Sequence, residues 1–421
     1  MQANTHFNSN QAVRQAIQPA LSLTKKLFFF VAAGTLALTS CKKEEGVDPN
    51  PTTPVVQPLT LEEGIKVKTE LVDRVADPEL PDYIVTKHIA VNAELTIRPG
   101  VVIAFERDIR MDVNTDGLII AQGTAGKKIR FIGVQKTKGY WVGIAHYSRS
   151  NANVFEHVEV LHAGSRPIFS TTKSALFISG SQAQIALKNT LFSQNDGYGL
   201  YVYGGGILRE FARNAFTTNT EAGIMVDPEN VAKLDAASTF TGGNGHNVVD
   251  VTAGGIKNSP NDVVWAGFAD KTPYRISGDF AVNAAWKLSP GVTLEMNRDA
   301  VIRINSDGYI SAKGTPTEKI TFTGANRTAG FWKGIICYSA DSKNVIENAE
   351  ISNAGSNVIV SGKKANVAVY GNRATMTIKN TQISNSGGYG VFVSYGASVN
   401  TDVTTANSFA ANAQTNVMIE K

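Results

Sequence analysis

Cysteine is nearly missing from this 421-residue chain, which has only Cys41 and Cys337. A disulfide-stapled scaffold is therefore excluded. Charge of one sign is also missing. The formal net charge is +4, and Arg14, Lys25 and Lys26 in a first forty residues without acids account for three of it, leaving 4 − 3 = +1. That is no electrostatic footprint for nucleic acid. No long hydrophobic run occurs either: the one apolar stretch, Leu27 to Leu38, is short for a membrane span. No helical period persists long enough to build a crossover helix, so a βαβ fold is excluded. A Gly-x-Ser-x-Gly elbow is absent. Gly204-Gly205-Gly206 has neither the Lys nor the following helix of a phosphate loop and reads as a turn.

What is present is a duplication. Gly-Tyr-Trp-Val-Gly-Ile (139–144) returns as Gly-Phe-Trp-Lys-Gly-Ile (330–335), with the tryptophans 332 − 141 = 191 residues apart. At the same offset Tyr83 pairs with Tyr274, Pro99-Gly100 with Pro290-Gly291, and Glu156 with Glu347. Ala163-Gly164-Ser165 pairs with Ala354-Gly355-Ser356, and Gly197-Tyr198-Gly199 with Gly388-Tyr389-Gly390. The match is ungapped from about Asp82 to Gly206, then slips by two, so that Asn214 and Phe216 meet Asn407 and Phe409. The fold has to be read through this repeat.

From Tyr83 onward the chain alternates short β-branched or aromatic runs with turn residues: Ile84-Val85, Leu95-Thr96-Ile97, Val101 to Phe105, Leu118-Ile119-Ile120 and Ile129-Arg130-Phe131. Short strands at punctuated spacing leave a sandwich, a propeller or a β-solenoid. Strand groups recur about every 20–25 residues, as expected for one solenoid coil. Leu95 to Val101, the Ala-Gln-Gly-Thr turn, the Trp-x-Gly-Ile element and Asn-rich stretches such as Ile185 to Phe192 resemble the right-handed parallel β-helix family. The resemblance runs from about Asp82 to the last residue. It implies an all-β, right-handed parallel β-helix made of two tandem modules, 82–263 and 264–421. It implies no single function, because this scaffold carries lyases, hydrolases, epimerases, adhesins and inert stalks. Roughly a dozen coils are expected, making a rod on the order of 60 Å long.

Ahead of the repeat, Lys25-Lys26, the apolar run and Leu38-Thr39-Ser40-Cys41 have the layout of a secretory signal. Leu-Thr-Ser-Cys resembles the lipobox of bacterial lipoproteins, which implies a signal peptide over 1–40 and lipidation of Cys41. The following Lys42-Lys43-Glu44-Glu45 looks like the surface-export signal of Bacteroidota lipoproteins. It implies an outer-membrane protein, anchored by lipid and exposed at the cell surface. An anchored Cys41 leaves Cys337 without a disulfide partner, as a small buried hydrophobe. Pro49, Pro51, Pro54 and Pro58 make 41–60 an extended tether. Residues 61–81 are expected to form an N-terminal cap, as a short helix or an irregular segment. The last residues, Ile419-Glu420-Lys421, are expected to leave a strand edge for another chain to cover.

Chemistry is sparse. Glu156 and Glu159 are a carboxylate pair that glycoside hydrolysis could use, but three residues apart on a strand they face opposite ways. Their persistence in the second copy, as Glu347 and Glu350, speaks for a role in the coil. Asp108 and Asp299 persist likewise. His146, His157 and His162 lie within one coil where the second copy has Cys337, Asn348 and Asn353. They are the only metal candidates, and their spacing fits no metal motif. Asn189, Asn214, Asn380 and Asn407 are expected at turns, stacked along the rod. The best binding candidates are aromatic: Tyr198, Tyr201 and Tyr203, echoed by Tyr389 and Phe392. Tyr201 and Tyr203 share a face, and the rings either form a solvent-facing ladder for sugar rings or fill the interior and cover its turns. Trp141 and Trp332, each beside an inward-reading Gly-Ile, are expected inside. The sequence thus points to a non-catalytic surface lipoprotein with a structural role or a glycan or protein ligand, and to no cofactor. The competing reading is a polysaccharide-active enzyme, a lyase or glycoside hydrolase, on the same scaffold.

Overall fold

The computed structural model describes residues 56–421. The expected signal peptide, Cys41 and most of the expected tether lie outside the described residues. The described chain is all-β apart from a one-turn helix, Pro228–Val231, and forms a parallel β-helix. Each coil contributes a strand to each of three faces, and every paired strand runs parallel to its neighbours. The first face begins as an eight-stranded sheet, from Leu59–Leu61 to Thr239–Gly242, and continues as a six-stranded one, from Val263–Trp265 to Ser398–Val399. The second is one sheet of thirteen, from Ile89–Val91 to Ser408–Ala410. The third is a sheet of six, from Thr69–Leu71 to Ile207–Ala212, followed by one of seven, from Gly254–Ile256 to Val417–Ile419. Thirteen strands at about 4.8 Å span roughly 58 Å.

The expected cap at 61–81 is not a helix. Leu59–Leu61 pairs with Tyr83–Val85, Thr69–Leu71 pairs with Leu95–Ile97, and Ile65 bridges to Val91. This stretch is itself a coil. Only 72–81 is irregular, held where the Asp82 carboxylate accepts from the backbone N–H groups of Val75 and Val102 at 2.8 and 2.7 Å.

Coil spacing is wider than 20–25 residues. Tyr83 pairs with Ile103, 20 residues on, but Ile144 pairs with Leu176, 32 on. The extra residues form a loop, 162–173, that leaves the coil and returns.

The two copies share one rod. A single apolar cluster runs from Ile65 to Val403, and the thirteen-stranded sheet passes through both copies. A boundary between 263 and 264 falls inside the strand Val263–Trp265. Tyr83–Val85 lies on the first face, but its repeat partner Tyr274–Ile276 lies on the second. From Ile89–Val91, the strand after Tyr83–Val85, the second face takes seven steps to reach Tyr274–Ile276. One copy therefore spans seven coils and one further face, or 191 residues at about 26 per coil, within the ordinary range of a solenoid repeat. The second copy is consequently turned by one face about the rod. The helix Pro228–Val231 stands at this junction, with the seven-stranded sheet of the second copy beginning beside it at Gly254–Ile256.

The interior explains the repeated motifs. Trp141 and Trp332 are wholly buried, and each indole N–H donates at 2.7 Å to a carbonyl, of Leu161 and of Ser352. Two residues on, Gly143 and Gly334 have φ of 129° and 132°. A Cβ there would sit 2.6 Å from the Ser174 carbonyl oxygen and 2.5 Å from that of Ala365, so only glycine fits. Phe192, Phe216 and Phe240 stack at 5.1 and 5.2 Å. Beside them Asn195 donates to Asn219, and Asn219 to Asn244, each at 2.9 Å. This buried amide ladder satisfies polar groups that would otherwise cost about 1–3 kcal/mol each. Asn189 and Asn380 take the expected positive φ, both 50°. Asn214 and Asn407 instead turn inward, accepting from Thr190 and Thr381 N–H at 3.0 and 2.9 Å.

Candidate functional site: an aromatic flank

The strand Tyr198–Tyr203 sits in the thirteen-stranded sheet. Leu200 and Val202 point into the core and are fully buried, which sends Tyr201 and Tyr203 outward. They meet an apolar cluster on the outside of the sheet: Val142, Ala145, Ile168, Phe177 and Tyr201, flanked by Tyr147 and Met225. The loop 162–173 forms a flap over it. Gly164 starts the flap at φ 100°, so close to the Asp196 carbonyl that no Cβ fits. An antiparallel bridge between Phe169 and Thr172, with Ser170 at φ 51°, closes its tip. From that tip Phe169 lies 5.3 Å from Phe177 and 5.3 Å from Tyr203. Phe177 and Tyr203 lie 5.2 and 5.8 Å from Tyr201.

The flap divides the proposed ladder. Tyr201 is only 5% exposed, and burial pushes its phenol up to about 12. Tyr198 is buried against Ala222 and Val248, and its hydroxyl donates to Asp250 at 3.1 Å. Burial first, and Asp250 second, raise its phenol above the usual range. Asp250 also accepts two bonds from Arg275, at 2.6 and 2.7 Å. Tyr198 is thus a brace. The rings offered to solvent are Tyr203 and Phe169, 40% and 41% exposed. In the second copy Phe392 is wholly buried and Tyr389 half-buried beside it, under Ile359 and Val360 of the matching flap. Phe392 offers no surface to a ligand. Phe169 and Phe177 were missed by sequence reasoning. No local pattern marks either residue, because Phe177 is joined to Tyr201 only by the strand pairing.

One row of side chains follows the corner where each coil leaves this face. Successive pairings place Asn92, Asn114, Tyr147, Ser179 and Tyr203 one strand apart, with Asp227 next. Asn114 donates to Asn92 at 2.7 Å. The row holds amides, hydroxyls, rings and a carboxylate, and no Lys or Arg. On the other side of the flap lies a cleft of about 450 Å³, lined by Thr172, Lys173, Asp196, Tyr198 and Glu221 among others. There Lys173 binds Asp196 at 2.7 Å. Burial works against the Asp196 charge, but Lys173 and Thr220 hold its carboxyl below the usual range.

The other candidates disperse. His146 points into the core, bonded to the Gln184 carbonyl at 3.0 Å, and burial lowers its pKa to about 4. His157 and His162 sit at corners with φ of 51° and 66°, and their counterparts Asn348 and Asn353 have 48° and 68°. His and Asn both tolerate that region, which accounts for the exchange. Burial, with Lys136 and Arg130 adding to it, lowers His162 to about 4. The three histidines form no metal site. Among the described residues no group of three or more His, Cys, Asp or Glu is placed to hold an ion.

Glu156 and Glu159 lie in different sheets, separated by the His157 corner. Glu156 meets Lys188 at 3.5 Å, and Glu159 meets Lys128 at 2.8 Å and Arg130 at 3.3 Å. The second copy keeps one of these pairs, Lys319–Glu350, at 3.0 Å. Asp108 and Asp299 are corner residues too, at φ 62° and 59°. None of these carboxylates converges with another on an open face.

No family model, no curated protein and no solved structure matches the chain.

Proposed function

We propose that the chain is a non-catalytic lipoprotein of the cell surface, whose β-helix binds a glycan along the aromatic flank. The observation that carries this reading is the exposed pair Phe169–Tyr203, held over Phe177 and Tyr201 by the flap. The repeat supplies an internal control. At the same positions the second copy has Val360, Ser394 and Ala368 in place of Phe169, Tyr203 and Phe177. The scaffold folds without rings at those three positions. Rigid, half-exposed rings beside hydroxyl and amide groups suit the apolar face and polar rim of a sugar. The outer-membrane anchor rests on the lipobox-like Leu38 to Cys41 and the tether after it.

A glycan array probed with residues 42–421, with turnover of every bound polysaccharide followed in parallel, tests the reading. Binding without cleavage, weakened on Tyr203→Ser with Phe169→Val, is the expected result. Cleavage would make the protein a polysaccharide-active enzyme and overturn the non-catalytic part. Absence of binding to any glycan would overturn the ligand.

A further inference from the structure

We infer that the rod carries a second glycan row, in the second copy and on a different flank, so that one molecule holds two chains at once. This rests on the glycan reading of the first row. In the second copy, successive pairings align Asn283, Asn305, Tyr338, Tyr370, Ser394 and Glu420 one strand apart. Position by position this repeats the order of the first row: two amides, tyrosine, a Ser and a Tyr in either order, and a carboxylate. The amide contact repeats too, Asn305 donating to Asn283 at 2.7 Å. The rings are displaced by one place along the row: Tyr370 stands where the first copy has Ser179, and Ser394 where it has Tyr203. Tyr338 and Tyr370 meet edge to face at 6.1 Å, Tyr338 is 37% exposed, and Tyr395 in the next turn is 77% exposed.

The chemistry of the row narrows the ligand to an uncharged glycan. Ser394 is buried, its hydroxyl accepting from the Gly371 N–H and donating to the Tyr395 carbonyl, and only keeps the register of the row. The amides and tyrosine hydroxyls serve sugar hydroxyls, and the rings serve a sugar's apolar face. The terminal carboxylate accepts hydrogen bonds and repels anions, and the row itself has no cation to hold a uronate or sulfate. Successive side chains stand about 4.8 Å apart, so an extended glycan lying along the rod meets a new one at each coil. Because the copies are turned by one face and displaced by seven coils, the rows open on different sides, roughly 34 Å apart along the rod. A single chain on one flank cannot follow both. Two chains can, and the protein then cross-links a neutral polysaccharide with the avidity that linked sites give.

The test is calorimetric titration of residues 42–421 with cellohexaose, mannohexaose and xylohexaose, and light scattering with the matching polymers. Two sites per chain are expected, falling to one in Tyr338→Ala/Tyr370→Ala/Tyr395→Ala and to one in Phe169→Val/Tyr203→Ser, with polymer cross-linking abolished in either. Tyr395→Ala alone, in an exposed turn, should weaken the second site without touching the fold. A single site, lost only in Phe169→Val/Tyr203→Ser, would overturn this inference and leave the first row standing. Two sites that both survive the triple variant would also overturn it. No binding by any of the three would overturn this inference, while the glycan reading of the first row would fall only if the array also showed no binding.

Discussion

His146 offers a sharp quantitative test, because the second copy shows what the fold accepts in its place. The imidazole is sealed in the core and held neutral, with a pKa of about 4 against 6.5 in an open chain. Below pH 6.5 the unfolded chain binds a proton that the folded chain refuses. Stability is therefore full above pH 6.5, falls as pH drops, and is wholly lost from this source below about 4. The complete effect is on the order of 3 kcal/mol, most of it already felt near pH 4.5. Cys337 is the counterpart, buried and kept a neutral thiol because burial pushes it up to about 11. His146→Cys should therefore remove the acid sensitivity while adding a fixed packing cost. The assay is native-state hydrogen exchange of the strand Gly143–His146 near pH 7.5 and pH 4.5, which reads local opening where a solenoid need not unfold as one unit. Wild type should lose roughly 2–3 kcal/mol more than the variant between the two pH values. Equal losses would refute the claim that His146 is buried and neutral.

Two further predictions concern the scaffold. Asn219→Ala breaks the amide ladder in the middle, leaving Asn195 and Asn244 short of partners, and should cost about 2–3 kcal/mol in urea unfolding. A cost under about 0.5 kcal/mol would mean that the ladder carries no net stability. Gly164→Ala cannot keep φ 100° against the Asp196 carbonyl and should release the flap. Faster exchange and proteolysis of 165–172, with the rest of the rod unchanged, is the expected outcome.

Much of the coil was legible because the duplication names its own constraints. Trp141 and Gly143 recur as Trp332 and Gly334 since each copy buries an indole at that coil and brings two backbones close together there. The turn of one face was not legible. An offset of 191 residues is equally compatible with a whole or a fractional number of coils until strand pairing is known, and variable loops hide the count. The Tyr ladder was half legible. Alternation sent Tyr201 and Tyr203 outward, but nothing local says that 162–173 folds back to cover Tyr201. Phe169 sits in a Ser/Thr-rich loop that reads as solvent. The first coil was misread because Leu61 to Ala76 has too few alternating residues to show its strands, which are fixed by pairing with Tyr83–Val85 and Leu95–Ile97.

The central claim is that the exposed rings of the first copy bind sugar, and the most direct measurement compares two matched exchanges in glycan affinity. Phe169→Val with Tyr203→Ser imposes the second copy's residues on the first flank. Glu159→Gln with Lys128→Gln removes a surface ion pair on another face. The account predicts that the first exchange removes the first-copy site, lowering the number of glycan sites per chain by one, with the melting temperature held within about 2 °C, and that the second leaves the number of sites and their affinity unchanged. An unchanged number of sites after the first exchange would contradict it.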